Sequence, residues 1–383
     1  MRPEAGATEL ELAQAVRDWA AARLAGRIEP AERAGTLPPD LLRELSELGV
    51  LGMTIPESDG GLGLSAVAFF LVLEELAAAW PSLSVGVAVN SGIVANSIVR
   101  FGTTEQRARW LPKLMDGSGL GAFALTEASS GSDAASLRAT ARRDGGMWTL
   151  RGTKEFITSA RYAPLAITFA RALEPEPERA HAGITAFIVP LDAPGVSVGP
   201  AERKMGLHGS DTAPLILDDA RVGDDAVLGE VGRGFSIAMA GLDGGRISIA
   251  AQACGIARAA IERAIAYAGG RRQFGQPIID FQATRLAIAR ASAETEAARL
   301  LGLRAAWLRD EGRSYTREAS MAKLYASEAV QRVTHAMLQV FGGYGYVREY
   351  EVERYARDAR VTTIYEGTSE VQRLVIARSL IAA

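Results

Sequence analysis

The stretch Ile364-Tyr365-Glu366-Gly367-Thr368-Ser369-Glu370 sets a carboxylate between an aromatic ring and a glycine, just before an amphipathic segment, Val371 to Leu380. A glutamate held at such a junction is a candidate general base. Gly367 lets the backbone turn tightly and come close to a ligand. Thr368 or Ser369 can cap the helix that follows, because a hydroxyl oxygen accepts from the unpaired N–H groups of a first turn. The same residues also suit a surface helix start with an acidic first turn. The motif alone does not decide between the two.

Five further clusters join polar groups to glycines or rings. In Phe123-Ala124-Leu125-Thr126-Glu127-Ala128-Ser129-Ser130-Gly131-Ser132-Asp133, a short apolar strand runs into hydroxyls and glycine, as a ligand-facing loop would. In Lys154-Glu155-Phe156-Ile157-Thr158 an aromatic stands two residues before a hydroxyl, on the same face of a strand. Asp243-Gly244-Gly245-Arg246 falls early in a long helical pattern. Each glycine there costs about 1 kcal/mol relative to alanine, which points to close approach by a ligand or to a kink. Arg271-Arg272-Gln273-Phe274-Gly275 offers guanidinium groups suited to phosphate. Gln339-Val340-Phe341-Gly342-Gly343 offers backbone amides to a phosphate or ring edge. Singly, each cluster is as easily structural as functional.

Other chemistries are poorly supported. His181, His208 and His335 have no ligand spacing, so no metal site is expected. There is no Ser nucleophile elbow and no Walker loop, and Gly229-Glu230-Val231-Gly232-Arg233-Gly234 does not match a dinucleotide fingerprint. The lone Cys254 cannot form a disulfide within the chain and reads as a small buried hydrophobe. A net charge of -3 with scattered Lys and Arg gives no footprint for nucleic acid. Met1 to Leu12 carries Glu4, Glu9 and Glu11 and does not read as a signal peptide. With no uninterrupted apolar run of about 18 residues, no membrane span is expected. A cytoplasmic protein is expected.

These residues need elements to position them. At 383 residues the chain suggests two or three packed regions. Residues 1–117 read as an α-helical domain: a stripe at Leu10, Leu12, Val16, Trp19, Ala20 and Leu24, then helices at Leu41 to Leu48, Ser65 to Ala79, Ser82 to Phe101 and Gln106 to Met115. Residues 118–229 carry short strands, among them Met147 to Arg151, Leu165 to Ala170, Ile184 to Val189, Val196 to Val198 and Leu215 to Leu217. They imply a small antiparallel barrel or sandwich, with Leu173 to Ala182 (Pro175, Pro177) as a solvated loop. Residues 230–383 return to long helices, near Phe235 to Gly269, Phe281 to Arg309 and Tyr315 to Val340, as in a four-helix bundle. The fold class is therefore α+β with three domains. The long helices are apolar on more than one side, so a homo-oligomer is expected.

In motif order, spacing and length, the chain from Thr8 to Leu380 resembles an acyl-CoA dehydrogenase. Thr126-Glu127 with Gly131-Ser132-Asp133, the Arg271 to Gly275 run, Phe341-Gly342-Gly343 and Ile364 to Thr368 carry the resemblance. It implies helical, β and helical domains, bound FAD, a homotetramer, and oxidation of acyl-CoA thioesters to trans-2-enoyl thioesters, as in fatty acid or amino acid degradation. Electrons would pass to electron-transfer flavoprotein. Glu366 would remove the α-proton while the β-hydrogen leaves as hydride to flavin N5. The Glu366 N–H and a ribityl hydroxyl would hold the thioester oxygen. Phe123, Leu125, Thr126 and Ser132 would line the flavin and acyl site, and Phe156, Ile157 and Thr158 would meet the isoalloxazine. Arg271, Gln273, Phe274, Phe281 and Gln282 would meet the FAD of a neighbouring subunit, as would Gln339, Val340, Gly342 and Gly343. Thr368 and Glu370 would close the FAD site. Ser132, Asp243, Arg246, Tyr365, Gly367 and Arg378 would lie on the substrate side, with Arg246 orienting Glu366.

Some relatives place the base at the position of Gly245, which here has no side chain, so Glu366 has no competitor. Ala128 replaces a usual proline and Phe156 a frequent tryptophan. The lean within the family is towards short- and branched-chain enzymes, from Gly241 to Ile247 and the chain length. The depth of the acyl pocket is expected to depend on helices around Val85 to Ile98. Other readings are an acyl-carrier-protein thioester dehydrogenase or flavin oxidase of secondary metabolism, and, from another class, a non-catalytic flavin-binding scaffold.

Overall fold

A computed structural model describes residues 6–174 and 179–381. Pro175 and Pro177 of the expected loop, and Met1 to Ala5 of the N-terminal segment, lie outside the described residues. The chain opens with α1 (Ala7–Arg23), α2 (Ile28–Ala34), α3 (Pro39–Glu47), α4 (Ala66–Ala79), α5 (Pro81–Val87), α6 (Asn96–Phe101) and α7 (Thr104–Met115). Ser65 caps α4, accepting from the Ala68 N–H, and Thr103 and Gln106 form a capping box on α7. The α2 helix is not in the sequence reading, and Leu10 of the expected stripe is exposed.

One helix differs in kind. Between α5 and α6 the chain stays helical but widens to π geometry over Ala88–Ala95. A wide turn leaves carbonyls poorly served. The Asn96 amide donates to Ser91 O at 2.8 Å, and Asn90 joins Leu114 O (2.9 Å) to the Gly121 N–H (2.8 Å), at the entry to the sheet. Pro81–Phe101 has the length and mean apolarity of a membrane span, although Ser82, Asn90 and Asn96 interrupt its apolar run. It is a core helix, because 89% of its apolar window is buried inside the fold.

The strands are β1 (Ala122–Ala124), β2 (Thr140–Asp144), β3 (Met147–Thr158), β4 (Leu165–Arg171), β5 (Ile184–Pro190), β6 (Val196–Val198), β7 (Thr212–Gly223) and β8 (Val227–Leu228). They form one sheet in the order β6-β7-β3-β2-β4-β5-β8, with β1 on β4. The pairing is antiparallel except that β1 runs parallel to β4 and β2 meets β4 at Thr140 and Arg171. The register between β3 and β7 shifts between Lys154 and Ile157, a bulge that falls on Phe156.

Beyond the sheet run α8 (Gly234–Gly270), a hairpin of β9 (Arg272–Gln273) and β10 (Gln276–Pro277), α9 (Gln282–Asp310), α10 (Thr316–Phe341), α11 (Val352–Arg360) and α12 (Ser369–Ile381). The three long helices pack on one another, and α4 packs on both α8 and α9. One apolar cluster accordingly runs from Ala13 to Ala359, joining the helices of both ends of the chain in a single core. Against it, the sheet has its own cores. The seam between helices and sheet positions the site.

Candidate active site

The Glu366 turn is a backbone feature first. Glu366 has φ 54° and Gly367 φ 91°, two left-handed residues in succession. Such a conformation costs a non-glycine residue about 1–3 kcal/mol, so surrounding bonds must hold it. Here the Gln372 amide donates to Glu366 O at 3.2 Å and Gly367 O at 2.9 Å, and Lys323 Nζ donates to Gly367 O at 2.7 Å. The Tyr365 hydroxyl donates to the side chain of Gln252 on α8. Of the two candidate caps Thr368 takes the role, accepting from the Val371 N–H at 3.4 Å, while the Ser369 hydroxyl is buried without a partner among the described residues.

The carboxyl meets α8 where that helix has no side chain. A Cβ on Gly245 would fall on Glu366 Oε2, with the Glu366 Cδ and Ile93 Cδ1 each at 3.0 Å. The Asp243-Gly244-Gly245 run thus admits a side chain of the protein itself at Gly245. Glu366 Oε2 is buried with no hydrogen-bond partner among the described residues. Burial away from water pushes the carboxyl up to about 7, against the pull of the Arg246 and Lys323 charges. Arg246 acts through its charge, since its Nη1 donates instead to Asp243 Oδ1 at 2.6 Å and Ser320 Oγ at 3.3 Å. Thr316 holds the other Asp243 oxygen at 2.6 Å.

A cavity of about 1050 Å³ opens between the π segment, the start of α8 and the α9–α10 turn. Ile93, Gly241, Asp243 and Gly244 form its inner wall, one residue from Gly245. Its rim carries Arg100, Arg233, Arg309 and Arg313.

On the sheet side, the Phe123 ring lies 3.6 Å from where a Cβ on Gly241 would stand, one helical turn before Gly245. The Thr126 carbonyl accepts from the Glu155 N–H at 2.9 Å, which sets the loop after β1 beside the Phe156 bulge. Beneath them Lys154, fully buried, pairs with Glu127 at 2.7 Å, and Glu127 also accepts from the Arg138 and Ala139 amides at 2.7 and 2.9 Å. Phe156, with φ 59°, is 65% exposed, and Thr126 and Thr158 are half-buried beside it. A flat exposed ring and two hydroxyls next to a helix fit a planar heterocycle with hydrogen-bonding edges. Leu125 and Ile157 differ from expectation: both side chains belong to the core. Any contact Ile157 makes with a ligand must come from its backbone. Ser132 is exposed in the following turn.

Sequence profiles of the acyl-CoA dehydrogenase N-terminal, middle and C-terminal domains match residues 6–118, 122–220 and 232–381. The chain is 43% identical over 377 residues to the mitochondrial short-chain specific acyl-CoA dehydrogenase of Bos taurus, covering 98% of this chain and 90% of the relative. It superposes on butyryl-CoA dehydrogenase from Megasphaera elsdenii with TM-score 0.96 at 38% identity, over 100% of both chains. A chain from the structure of the electron transferring flavoprotein of Acidaminococcus fermentans gives TM-score 0.97 at 39% identity, again over 100% of both. The chain belongs to the acyl-CoA dehydrogenase family. Enzymes of this family are FAD-dependent oxidoreductases.

Within this acyl-CoA dehydrogenase chain, the remaining expected residues form a second group far from the first. Arg271 stacks over Tyr344 at 5.6 Å, bringing the hairpin beside Gly342 and Gly343, whose Cβ positions face open space. Phe274 is 94% exposed at φ 50° and meets Phe281 edge-on at 6.1 Å. Gln273, Gln282 and Gln339 are exposed and Val340 half-buried. Arg271 follows Gly245 by 26 positions along α8, roughly 39 Å at 1.5 Å per residue. One chain does not bring the two groups together. Glu370 is exposed on the first turn of α12, and Arg378 is exposed further along it, outside the cavity wall.

Sequence reasoning missed Lys323, Gln372 and Gln252. One signal was available. Lys323 interrupts the buried stripe Ala319, Ala322, Ala326, Val330 and Val333 of α10, where a cation has no structural reason to stand.

Proposed function

We propose that this enzyme dehydrogenates acyl-CoA thioesters across Cα and Cβ to the trans-2-enoyl products, with Glu366 as the base. The observation that carries this reading is the Glu366 carboxyl, buried against Gly245, unpartnered at Oε2 and raised to about 7. A thioester α-proton is a weak acid, and a carboxylate near neutrality removes it far better than one at the usual range. FAD, when bound beside Phe156, Thr126 and Thr158, supplies the acceptor for the β-hydrogen and its electron pair. The Glu366 N–H is assigned to the thioester oxygen, where it stabilises the charge that develops as the proton leaves. Asp243, bonded to the buried Arg246, lines the cavity on the substrate side, and Tyr365 and Gly367 flank the base.

The arginine rim supports a phosphate-bearing substrate head, as coenzyme A provides, since guanidinium groups pair with phosphate in fork geometry. The separation of the two residue groups along α8 supports a homotetramer, in which Arg271, Gln273, Phe274 and Gln339 to Gly343 complete the FAD site of a neighbouring copy. Exposed Phe274, Tyr346 (87%) and Ile381 (85%) are consistent with surfaces covered in such an assembly. Electron-transfer flavoprotein is the proposed acceptor.

The purified protein should be yellow, and butyryl-CoA added without oxygen should bleach it, with colour returning on addition of oxidised electron-transfer flavoprotein. Bleaching by carrier-protein thioesters and by no CoA thioester would move the substrate to the carrier-protein class. A colourless protein that takes up no FAD would overturn the reading.

A further inference from the structure

We infer that Lys323 is a positioning residue for the base: its buried ammonium clamps the Gly367 carbonyl and holds a positive charge at the turn that carries Glu366. The inference rests on the proposed reaction, in which Glu366 carries the proton.

Lys323 lies on α10 and is 0% exposed. An ammonium has three donors and is strongly hydrated, so one taken fully out of water needs compensation. Among the described residues Lys323 has a single hydrogen bond, to Gly367 O at 2.7 Å, and no carboxylate within ion-pair distance. Its burial lowers it to about 8, and the largest opposing influence is the Glu366 charge. The converse holds for Glu366, whose rise is opposed by Arg246 and Lys323. Glu366 is therefore the main compensation for Lys323, while Lys323 shares the compensation of Glu366 with Arg246.

The surrounding charges divide by element. From α8 come Arg246 and the Asp243 bonded to it. Glu328 on α10 and Glu370 on α12 act on Lys323 from further off, together with Arg246. Tyr365 lies in the same loop, with Asp358 of α11 behind it, and donates to Gln252. Among these, Lys323 is the cation that touches the Glu366–Gly367 backbone. Gln372 grips the Gly367 carbonyl too, and the Glu366 carbonyl besides, without a charge. The turn thus has two clamps, of which one also carries charge. A purely structural lysine would tie α10 to the loop and leave the protonation of Glu366 unmoved.

The test compares FAD-loaded wild type with Lys323→Met and Lys323→Arg, reading kcat and KM for butyryl-CoA against pH. In Lys323→Met the acid limb should move up by about one pH unit, because loss of a nearby opposite charge shifts a carboxyl by about that order. The kcat at about pH 7 should then fall about fivefold from protonation alone, with KM nearly unchanged. Lys323→Arg should restore the acid limb. A Lys323→Met acid limb in the wild-type position, whatever its stability, would overturn the inference. So would a Lys323→Arg profile shifted like that of methionine. If Lys323→Met does not fold, Lys323→Gln carries the same comparison, keeping a donor for Gly367 and removing the charge. An infrared titration of the Glu366 carboxyl, referenced to Glu366→Gln, needs no turnover. A band that moves up in the neutral variant of a protein that oxidises no thioester would uphold the positioning and sink the proposed reaction.

Discussion

Gly245→Ala adds one methyl group to α8 at the point where the helix meets the base. Two terms act on stability, with opposite sign. Alanine in a helix interior is favoured over glycine by about 1 kcal/mol. Overpacking a tight site costs about 1–3 kcal/mol, and here the new Cβ would fall on Glu366 Oε2 with two more atoms, Glu366 Cδ and Ile93 Cδ1, at 3.0 Å. The net loss of stability is therefore between about 0 and 2 kcal/mol. The neighbours differ in how firmly they are held. Ile93 is 2% exposed within the packed π segment, whereas no hydrogen bond from the described residues holds Glu366 Oε2. The carboxyl should yield first. A displacement on the order of 1 Å at a reacting atom costs about 100-fold in rate, or about 2.7 kcal/mol of barrier, more than the expected loss of stability. In anaerobic stopped flow with butyryl-CoA, Gly245→Ala should bleach about 100-fold more slowly, while FAD content and melting stay close to wild type. Wild-type bleaching in this variant, or a loss only in proportion to unfolded protein, would refute the packing argument.

Three further outcomes follow from the same geometry. Because the folded Glu366 carboxyl sits at about 7 against 4.5 in the unfolded chain, folding favours its protonated form. Its unfavourable contribution is fully present above about pH 7, declines as pH falls through that window, and is gone below the unfolded value. The bleaching rate should rise with pH through about 7, and Glu366→Gln should melt above wild type near pH 8 and lose that advantage near pH 5; a flat rate profile or the reverse order of melting would contradict this. Lys154→Met leaves Glu127 buried without its cation and should cost about 3–5 kcal/mol in a urea titration, with a loss below about 1 kcal/mol counting against the pair as a structural element. Ile93→Ala opens the inner wall beside Gly241 and Gly245, and should raise kcat/KM for octanoyl-CoA relative to butyryl-CoA by several-fold; an unchanged ratio would mean that depth is set elsewhere.

The order of helices, strands and helices was legible because period and punctuation agree. Pro39 opens α3, Gly49 follows it in the left-handed region (φ 75°), Ser65 and Thr103 cap their helices, and the long α8, α9 and α10 end within a few residues of the expected limits. The π segment was not legible, since Ala88 to Ala95 is apolar in a way that suits any buried helix. Leu10 and Ile157 show the limit of pattern. Leu10 keeps the helical period but faces outward, and Ile157 keeps the strand period but turns into the core beside a bulge. At the site, Glu366 and Gly245 were readable as residues, but their meeting was not, because 121 positions separate them and only the packing of the turn on α8 joins them. Lys323 and Gln372 make their key bonds to backbone carbonyls, and a side chain that recognises a carbonyl leaves no pattern in the partner's sequence.

Glu366→Gln compared with wild type, both loaded with FAD and mixed anaerobically with butyryl-CoA, tests the central claim most directly. The amide keeps the shape of the carboxyl and cannot accept the α-proton, so wild type should bleach and the variant should stay yellow while still binding the thioester. Bleaching of Glu366→Gln at the wild-type rate would contradict the assignment of the base.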